Sequence, residues 1–228
     1  MEKRHTVNRK EWKESIMTNK NIIFFIICLC FVTVITSACG PFEKANIGDY
    51  IEIGSYPQSA NGESKPIEWL VLSKEGNKML VISKYGLDVR RFDGNGNNWS
   101  GSKIRQWLNY DFYNKAFNEK EKKYIKSFIN TDSIIDRNNN ADNVFLLSIE
   151  EVKKYFSNDE SRKCKATEYA VTKGKKGSAI ADDYSNWLLR STDLVFVNNV
   201  SIVRNDGHFD IKKGKDRLVV RPALWLKI

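Results

Sequence analysis

Beyond Cys39 the chain holds one further cysteine, Cys164, and one histidine, His208, which leaves little room for nucleophilic or soft-metal chemistry. Cys164, in SRKCKATEYA, is a candidate nucleophile with His208 as the base available to activate it. One residue of each kind supplies no zinc or copper ligand set. No nucleophile elbow accompanies His208, so a Ser–His–Asp hydrolase is not assembled either. The better reading is a buried structural thiol and a surface histidine just after the Asn205–Gly207 turn, with no catalytic residue assigned.

Oxygen donors offer more. Asp93, Asn95 and Asn97 alternate as the start of a calcium loop does, but Asn98 stands where glycine is needed and Ile104 where a bidentate Glu is needed. Asp136, Asn138, Asn140 and Asp142 repeat the alternation and end on Leu147 instead of Glu. Turn chemistry accounts for both loops, with calcium through scattered oxygens left open and no other cofactor expected. Trp99 follows the first loop, and an exposed indole there would stack on a sugar ring. The candidate ligand surface is therefore Asp93, Asn95, Asn97, Asn98 and Trp99, together with Arg190. Arg190 and Arg221 lie inside apolar runs, where a charge is costly unless paired. Glu68 and Asp142 are the acids in comparable settings, so an ion pair among these four is expected, with a ligand carboxylate or phosphate as the alternative partner for the guanidinium fork.

These residues need elements to hold them. Alternation and β-rich runs predict strands at Ile51–Tyr56, Ile67–Ser73 and Lys78–Ser83, the last two joined by a KEGN turn. RRFDGNGNNWSGS reads as a loop. Ile104, Trp107, Leu108 and Phe112 fall on one helical face, Asn118 and Glu121 start a second short helix, and Ser148 with Glu151 form a capping box for a third presenting Val152, Tyr155 and Phe156. Between the last two, DSIIDRNNNADN reads as a loop and VFLLS as a buried strand. The final third predicts strands in YSNWLLRS and LVFVNNVSIVR, a hairpin at Asn205–Gly207 into HFDIK, and a last strand LVVRPALWLKI that Pro222 places at an edge or bulge. Trp69, Trp107, Trp187 and Trp225 are core candidates. Strands at both ends with helices between give an α+β class.

The address precedes the domain. Basic residues from Lys3 to Lys20 flank the apolar run Ile22–Ile35, and Ser37 and Ala38 lead to Cys39, as in an export signal. The positive-inside rule retains the basic end and sends the rest across. Residues 1–38 are thus an n-region and signal, with Met17 an alternative start, 39–46 a lipidated cysteine and short linker, and 47–228 one domain. The run only just approaches the length of a signal anchor, the alternative to cleavage. The linker reaches no more than roughly 25 Å, which keeps the domain close to its membrane. Residues 1–38 carry six of the 37 Lys and Arg and three of the 28 acids, leaving the domain 31 against 25, or +6. Lys173, Lys175 and Lys176, and Lys212, Lys213 and Lys215, cluster beside glycines like loop tips. A domain outside the cytoplasm has little access to nucleic acid, so an anionic envelope polymer or headgroup is the partner such charge suits.

The signal resembles that of bacterial lipoproteins, in which Cys39 would be diacylated and become the mature N-terminus; Thr36 departs from the usual leucine. The series GDYIEIGSYPQ, IEWLVLS, IRQWLN with DFYNKAF, DNVFLLSIEEVKKYF, WLLRS and VRPALWL resembles a bacterial domain family of unknown function found in surface proteins and lipoproteins. More distantly, the order of FLLS, helix, WLLRS and RPALW is similar to the formylglycine-generating enzyme and C-type-lectin-like fold. That resemblance implies a mostly antiparallel fold with N- and C-terminal strands close together and three to four short helices between. The generating enzymes hold copper with a cysteine pair, which Cys164 alone cannot supply, so their oxidase activity is not implied. The expectation is an exported, membrane-tethered binding module for an envelope glycan or protein. The alternatives are an envelope enzyme using Asp or Glu acid–base chemistry and an accessory subunit of an envelope complex. A carboxylate pair in a pocket would favour the enzyme, and an aromatic-lined surface the binder.

Overall fold

The computed structural model describes residues 40–93, 98–129, 141–174, 180–181, 184–192 and 198–228. The apolar run 22–35 and Cys39 lie outside them. Among the described residues no helix is long and apolar enough to cross a membrane.

Strands β1 (Tyr50–Pro57), β2 (Ser64–Glu75) and β3 (Lys78–Ser83) form an antiparallel meander, as the alternation predicts. Strand β14 (Ala223–Lys227) pairs with β3, and the two-residue β5 (Ile125–Lys126) with β14, giving the order β1-β2-β3-β14-β5. Residues Met79–Ile82 and Ala223–Leu226 are buried without alternation because these inner strands are covered on both faces. Between Glu52 and Ser55 the β1–β2 register shifts, with Gly54 at φ +73. A Cβ on Gly54 would stand 2.6 Å from the Phe117 ring and 2.8 Å from the Ala116 carbonyl oxygen, so glycine is what allows that chain segment to lie on the strand.

A second sheet runs in the order β12-β11-β10-β13-β4, built from Phe209–Lys213, Asn199–Val203, Trp187–Thr192, Arg217–Val220 and Asp88–Arg91. All its pairings are antiparallel except β10 with β13. The hairpin at Asn205–Gly207 forms as expected. Strand β4 replaces the start of the expected RRFDGNGNNWSGS loop, because Arg90 and Arg91 pair with Leu218 and Arg217. The last strand is in fact two: β13 lies in one sheet and β14 in the other, with Arg221 and Pro222 at the crossing. Two-residue ladders, β6 (Phe128–Ile129) with β7 (Ala141–Asp142) and β8 (Ile180–Ala181) with β9 (Tyr184–Ser185), complete the strands among the described residues.

The expected VFLLS strand is buried but not a ladder. Phe145 exchanges both backbone hydrogen bonds with Ala223, at 2.9 and 2.8 Å, and the Leu147 carbonyl accepts from Arg190 N–H at 3.0 Å. The segment passes from one sheet to the other, so each sheet can pair with it only once. Five helical segments among the described residues exceed the three to four expected. Helix α1 runs Lys103–Trp107, continues in π form over Leu108–Phe112 and ends at Tyr113–Ala116. Then follow α2 (Glu119–Lys122), α3 (Ile149–Tyr155), α4 (Asp159–Arg162) and α5 (Glu168–Gly174). Asn118 with Glu121 and Ser148 with Glu151 both close as capping boxes.

The stretch expected as a linker folds onto the domain. Phe42 packs edge-on against Tyr124, Lys74 Nζ donates to the Glu43 and Ala45 carbonyls, and Gly40 lies beside Lys227 and Ile228. The first described residues and the last strand therefore meet. Replacing Gly54 by Ala adds left-handed backbone strain to a collision with backbone and ring, together about 2–5 kcal/mol. Urea unfolding should register that loss.

Candidate functional site

One polar convergence beside a pocket starts from a buried acid. Asp88, at the start of β4, is fully buried and accepts from the Tyr56 hydroxyl at 2.7 Å and from Val89 N–H at 2.7 Å. Arg90, two residues on and on the same face of the strand, approaches the same oxygen at 3.3 Å. Its guanidinium lies 4.5 Å from the centre of the Trp107 ring, and its buried Nε has no hydrogen-bond partner. A cation stacked on an indole and held from beneath by a carboxylate is fixed in orientation while its outer edge stays open.

Four elements surround it. Tyr56 comes from β1, Arg90 from β4, Trp107, Asp111 and Lys115 from α1, and Tyr169 and Lys173 from α5, together lining a pocket of about 320 Å³. Tyr56 meets Trp107 and Tyr169 edge-on, at 6.5 and 6.0 Å between ring centres. The Lys115 ammonium stands 5.3 Å from the Tyr56 ring and that of Lys173 4.6 Å from the Tyr169 ring. Helix α5 is tied to the end of β1 by Tyr169 N–H donating to the Gln58 carbonyl at 3.0 Å. Three cations thus face one lining carboxylate, Asp111, across an aromatic floor.

The π form of α1 contributes to this alignment. Trp107, Asp111 and Lys115 are four residues apart, and in an α-helix each such step drifts about 40° around the axis. Tyr113 N–H bonds to the Leu108 carbonyl, five residues back, and the wider turn offsets the drift. Burial first and Asp88 second push the Tyr56 phenol far above its ordinary pKa. The phenol therefore remains a donor to Asp88.

A larger cleft of about 540 Å³ adjoins the pocket between the β1 bulge and the α1–α2 junction, and Lys115 lines both. Its polar wall includes Glu52, Ser55, Asn114, Asn118 and Glu121. Glu121 accepts from Gly54 N–H at 3.0 Å and from Asn118 N–H at 2.9 Å, which commits both of its oxygens.

Most residues nominated from the sequence hold the structure instead. Trp99 is 4% exposed, packs on Phe92 and donates from Nε1 to Asp142 at 2.8 Å, so it offers no face to a sugar. Asp142 also pairs with Arg105 at 2.6 Å and accepts from Asn109 at 3.2 Å, which occupies its carboxylate and removes it as a calcium ligand. Burial raises its pKa against the opposing effects of Trp99 and Arg105. Asn98 caps a turn by accepting from Ser100 N–H, and the Asp93 N–H bonds to the Gly214 carbonyl. Asn95, Asn97, Asp136, Asn138 and Asn140 lie outside the described residues. Among the described residues no group of three or more His, Cys, Asp or Glu is placed to hold a metal.

The expected ion pairs form with other partners. Arg190, 3% exposed, is paired bidentately with Glu151 and donates to the Leu146 carbonyl at 2.8 Å, so it braces α3 against β10 and faces no ligand. Glu68 pairs with Lys84 at 2.9 Å. Arg221 donates from Nε to the Ser83 carbonyl at 3.0 Å and stacks over Trp187 and Phe156. The sequence missed both partners because Glu151 already served as a capping residue and Lys84 followed a strand end. Cys164 is buried, and desolvation raises its thiol pKa despite the Arg221 charge. His208 is exposed beside Asp159 and Asp206. Trp69, Trp187 and Trp225 are core as expected, whereas Trp107, 9% exposed, also floors the pocket. Lys173 belongs to the pocket, Lys175 and Lys176 lie outside the described residues, and Lys212, Lys213 and Lys215 are on strand β12 and the turn that follows it.

Residues 76–228 match the family described as a domain of unknown function, DUF6273. The chain belongs to this family. No curated protein and no solved structure matches it. The DUF6273 region supplies every pocket residue except Tyr56, which comes from β1 ahead of it.

Tyr56 yields a pH signature. Above about pH 10 the unfolded chain releases the Tyr56 proton that the fold retains, so stability falls with rising pH, by up to about 1.4 kcal/mol per pH unit for one proton. Urea unfolding of wild type and Tyr56→Phe between pH 9 and 12 should show the steeper decline in wild type. Equal slopes would remove the phenol from this role.

Proposed function

We propose that this protein is an exported, lipid-tethered binding module whose DUF6273 domain captures an anionic envelope ligand in the pocket built by Tyr56, Arg90, Trp107, Lys115, Tyr169 and Lys173. The observation that carries the reading is the Arg90 guanidinium, held by Trp107 and Asp88 with its side chain 37% exposed and two further cations beside it. An oxyanion receives charge-assisted hydrogen bonds there, and a ring can lie on the aromatic floor. Positive charge over a desolvated wall also draws anionic ligands from solution. The location of the site differs from the Asp93–Trp99 loop expected from sequence, while the chemistry expected of a binder is retained.

The C-type-lectin-like architecture is supported by the contact between Gly40 and the end of β14 and by the mixed, strand-rich order. Lipidation at Cys39 is supported by the small residues before it and the apolar run from Ile22 to Ile35. With residues 40–46 folded onto the domain, a tether at Cys39 holds the pocket within a domain's width of the membrane. The enzyme reading has less support. Asp111 lines the pocket without a second carboxylate, Asp88 beneath is engaged by Tyr56 and Arg90, and Glu121 in the cleft is held by two backbone amides.

Two experiments test this. The full chain in detergent, presented to cell-wall fractions and to an acidic and neutral glycan panel with calcium or chelator, should be retained by acidic ligands in either condition. Arg90→Ala should weaken that retention by about tenfold or more, the loss of one charged hydrogen-bonding group. No retention of any acidic ligand would end the binding reading. Separately, Cys39→Ala should abolish incorporation of labelled fatty acid, and persistent label would place the anchor elsewhere.

A further inference from the structure

The pocket and the adjoining cleft share Lys115 but differ in charge. The pocket gathers Arg90, Lys115 and Lys173 over aromatic rings. The cleft has amide, hydroxyl and backbone groups from Ser55, Asn114 and Asn118, with two carboxylates, Glu52 and Glu121. Lys115 lines both spaces, its ammonium over the Tyr56 ring.

Resting on the binding reading above, we propose that the two spaces form one groove for an acidic oligosaccharide in which a unit bearing a carboxylate or phosphate is followed by an uncharged, hydroxyl- and amide-rich unit. The anionic unit sits in the pocket, its oxyanion on Arg90 and Lys173 and its ring against the half-buried Tyr169. The neutral neighbour sits in the cleft, accepting from the side-chain amide N–H groups of Asn114 and Asn118, whose oxygens are engaged by Lys122 and the α2 backbone, and exchanging hydrogen bonds with Ser55. A chain charged on every unit places its second anion beside Glu52 and Glu121, where like charge in a partly enclosed space repels it. A neutral chain brings no charge to the three cations of the pocket, of which only Arg90 has an acid beneath it and Asp111 is the one lining carboxylate. The groove therefore selects alternation of charge as well as charge itself. The exposed carboxylate of Glu52 is the discriminating group, since Glu121 is already committed to backbone amides.

The test is calorimetric titration of the full chain in detergent with six probes: glucuronate, glucose 6-phosphate, inorganic phosphate, a hyaluronan tetrasaccharide alternating glucuronate with N-acetylglucosamine, tetragalacturonate and chitotetraose. The hyaluronan tetrasaccharide should bind at least tenfold tighter than glucuronate, tetragalacturonate or chitotetraose. The two sugar acids, compared with inorganic phosphate, show whether carboxylate or phosphate is the better anion. Asn114→Trp, which fills the cleft from an exposed position, should bring the tetrasaccharide affinity down to that of glucuronate. Glu52→Gln should raise tetragalacturonate affinity several-fold relative to that of the hyaluronan fragment. Equal affinity for glucuronate and the tetrasaccharide, or tetragalacturonate binding as well as hyaluronan, would overturn the groove and leave the anion pocket standing. Absence of binding by every acidic probe would overturn the pocket as well.

Discussion

The constraint on which this domain depends is the passage of one chain segment, β13 into β14, from one sheet to the other. At Arg221 and Pro222 the chain leaves the ladder with β4 and β10 and joins the ladder with β3 and β5. Proline cannot donate to a ladder, so the crossing costs neither sheet a hydrogen bond it could have made. The carbonyls on either side are still used: Pro222 accepts from Ser83 N–H and Val220 from Leu87 N–H, both at 2.9 Å. Those two bonds fix the end of β3 and the approach to β4 to opposite sides of the same crossing. The sheets cannot move apart without breaking backbone pairing inside the core.

The site lies on that seam. Tyr56 belongs to the first sheet and Asp88 to the second, and their 2.7 Å hydrogen bond spans the junction. Helix α1 closes the pocket, and its position is set at its start by the Asp142 cluster. Arg105 and Asn109 reach Asp142 from the helix and Trp99 reaches it from the preceding turn. Asn109 also accepts from Asn143 and Val144 N–H and donates to the Val144 carbonyl. A buried network with its members satisfied is stiff. Its stiffness is transmitted along one helix to Trp107, Asp111 and Lys115, all within ten residues of Arg105.

Much of the fold was legible because local signals and tertiary demands agreed. The meander to Ser83, the capping boxes at Asn118 and Ser148 and the hairpin at Asn205–Gly207 each rest on a pattern that needs no distant partner. The division of LVVRPALWLKI was half visible: Pro222 marked a break, but a bulge and a sheet crossing look alike when the partner strands are unknown. VFLLS read as a strand because burial on all sides was evident, whereas the direction in which it crossed the core was not. The site was nearly illegible. Tyr56, Arg90 and Tyr169 are spread over more than a hundred positions, and Trp107 carried the apolar spacing of a core residue. The one local trace was Trp107, Asp111 and Lys115 at steps of four, a spacing that marks a ligand face only once the π turn holds it in line.

Burial separates two arginines that share the same kind of stacking. Arg221 and Arg90 both have a buried nitrogen without a hydrogen-bond partner, and both stack on tryptophan. Arg221 is 4% exposed and enclosed by Trp187, Phe156 and the Ser83 carbonyl, so no solute can reach its charge. Its side chain fills the crossing between the sheets, and its cost is met by the ring faces and the one carbonyl. Arg90 has a side chain 37% exposed above a fully buried carboxylate. The acid beneath offsets the cost of holding the guanidinium still without covering its outer edge. Sequence context selected Arg190 and Arg221 because they interrupted apolar runs, and interruption of such a run predicts burial. A binding cation needs the opposite arrangement, one side anchored and the other open, and Arg90 has it.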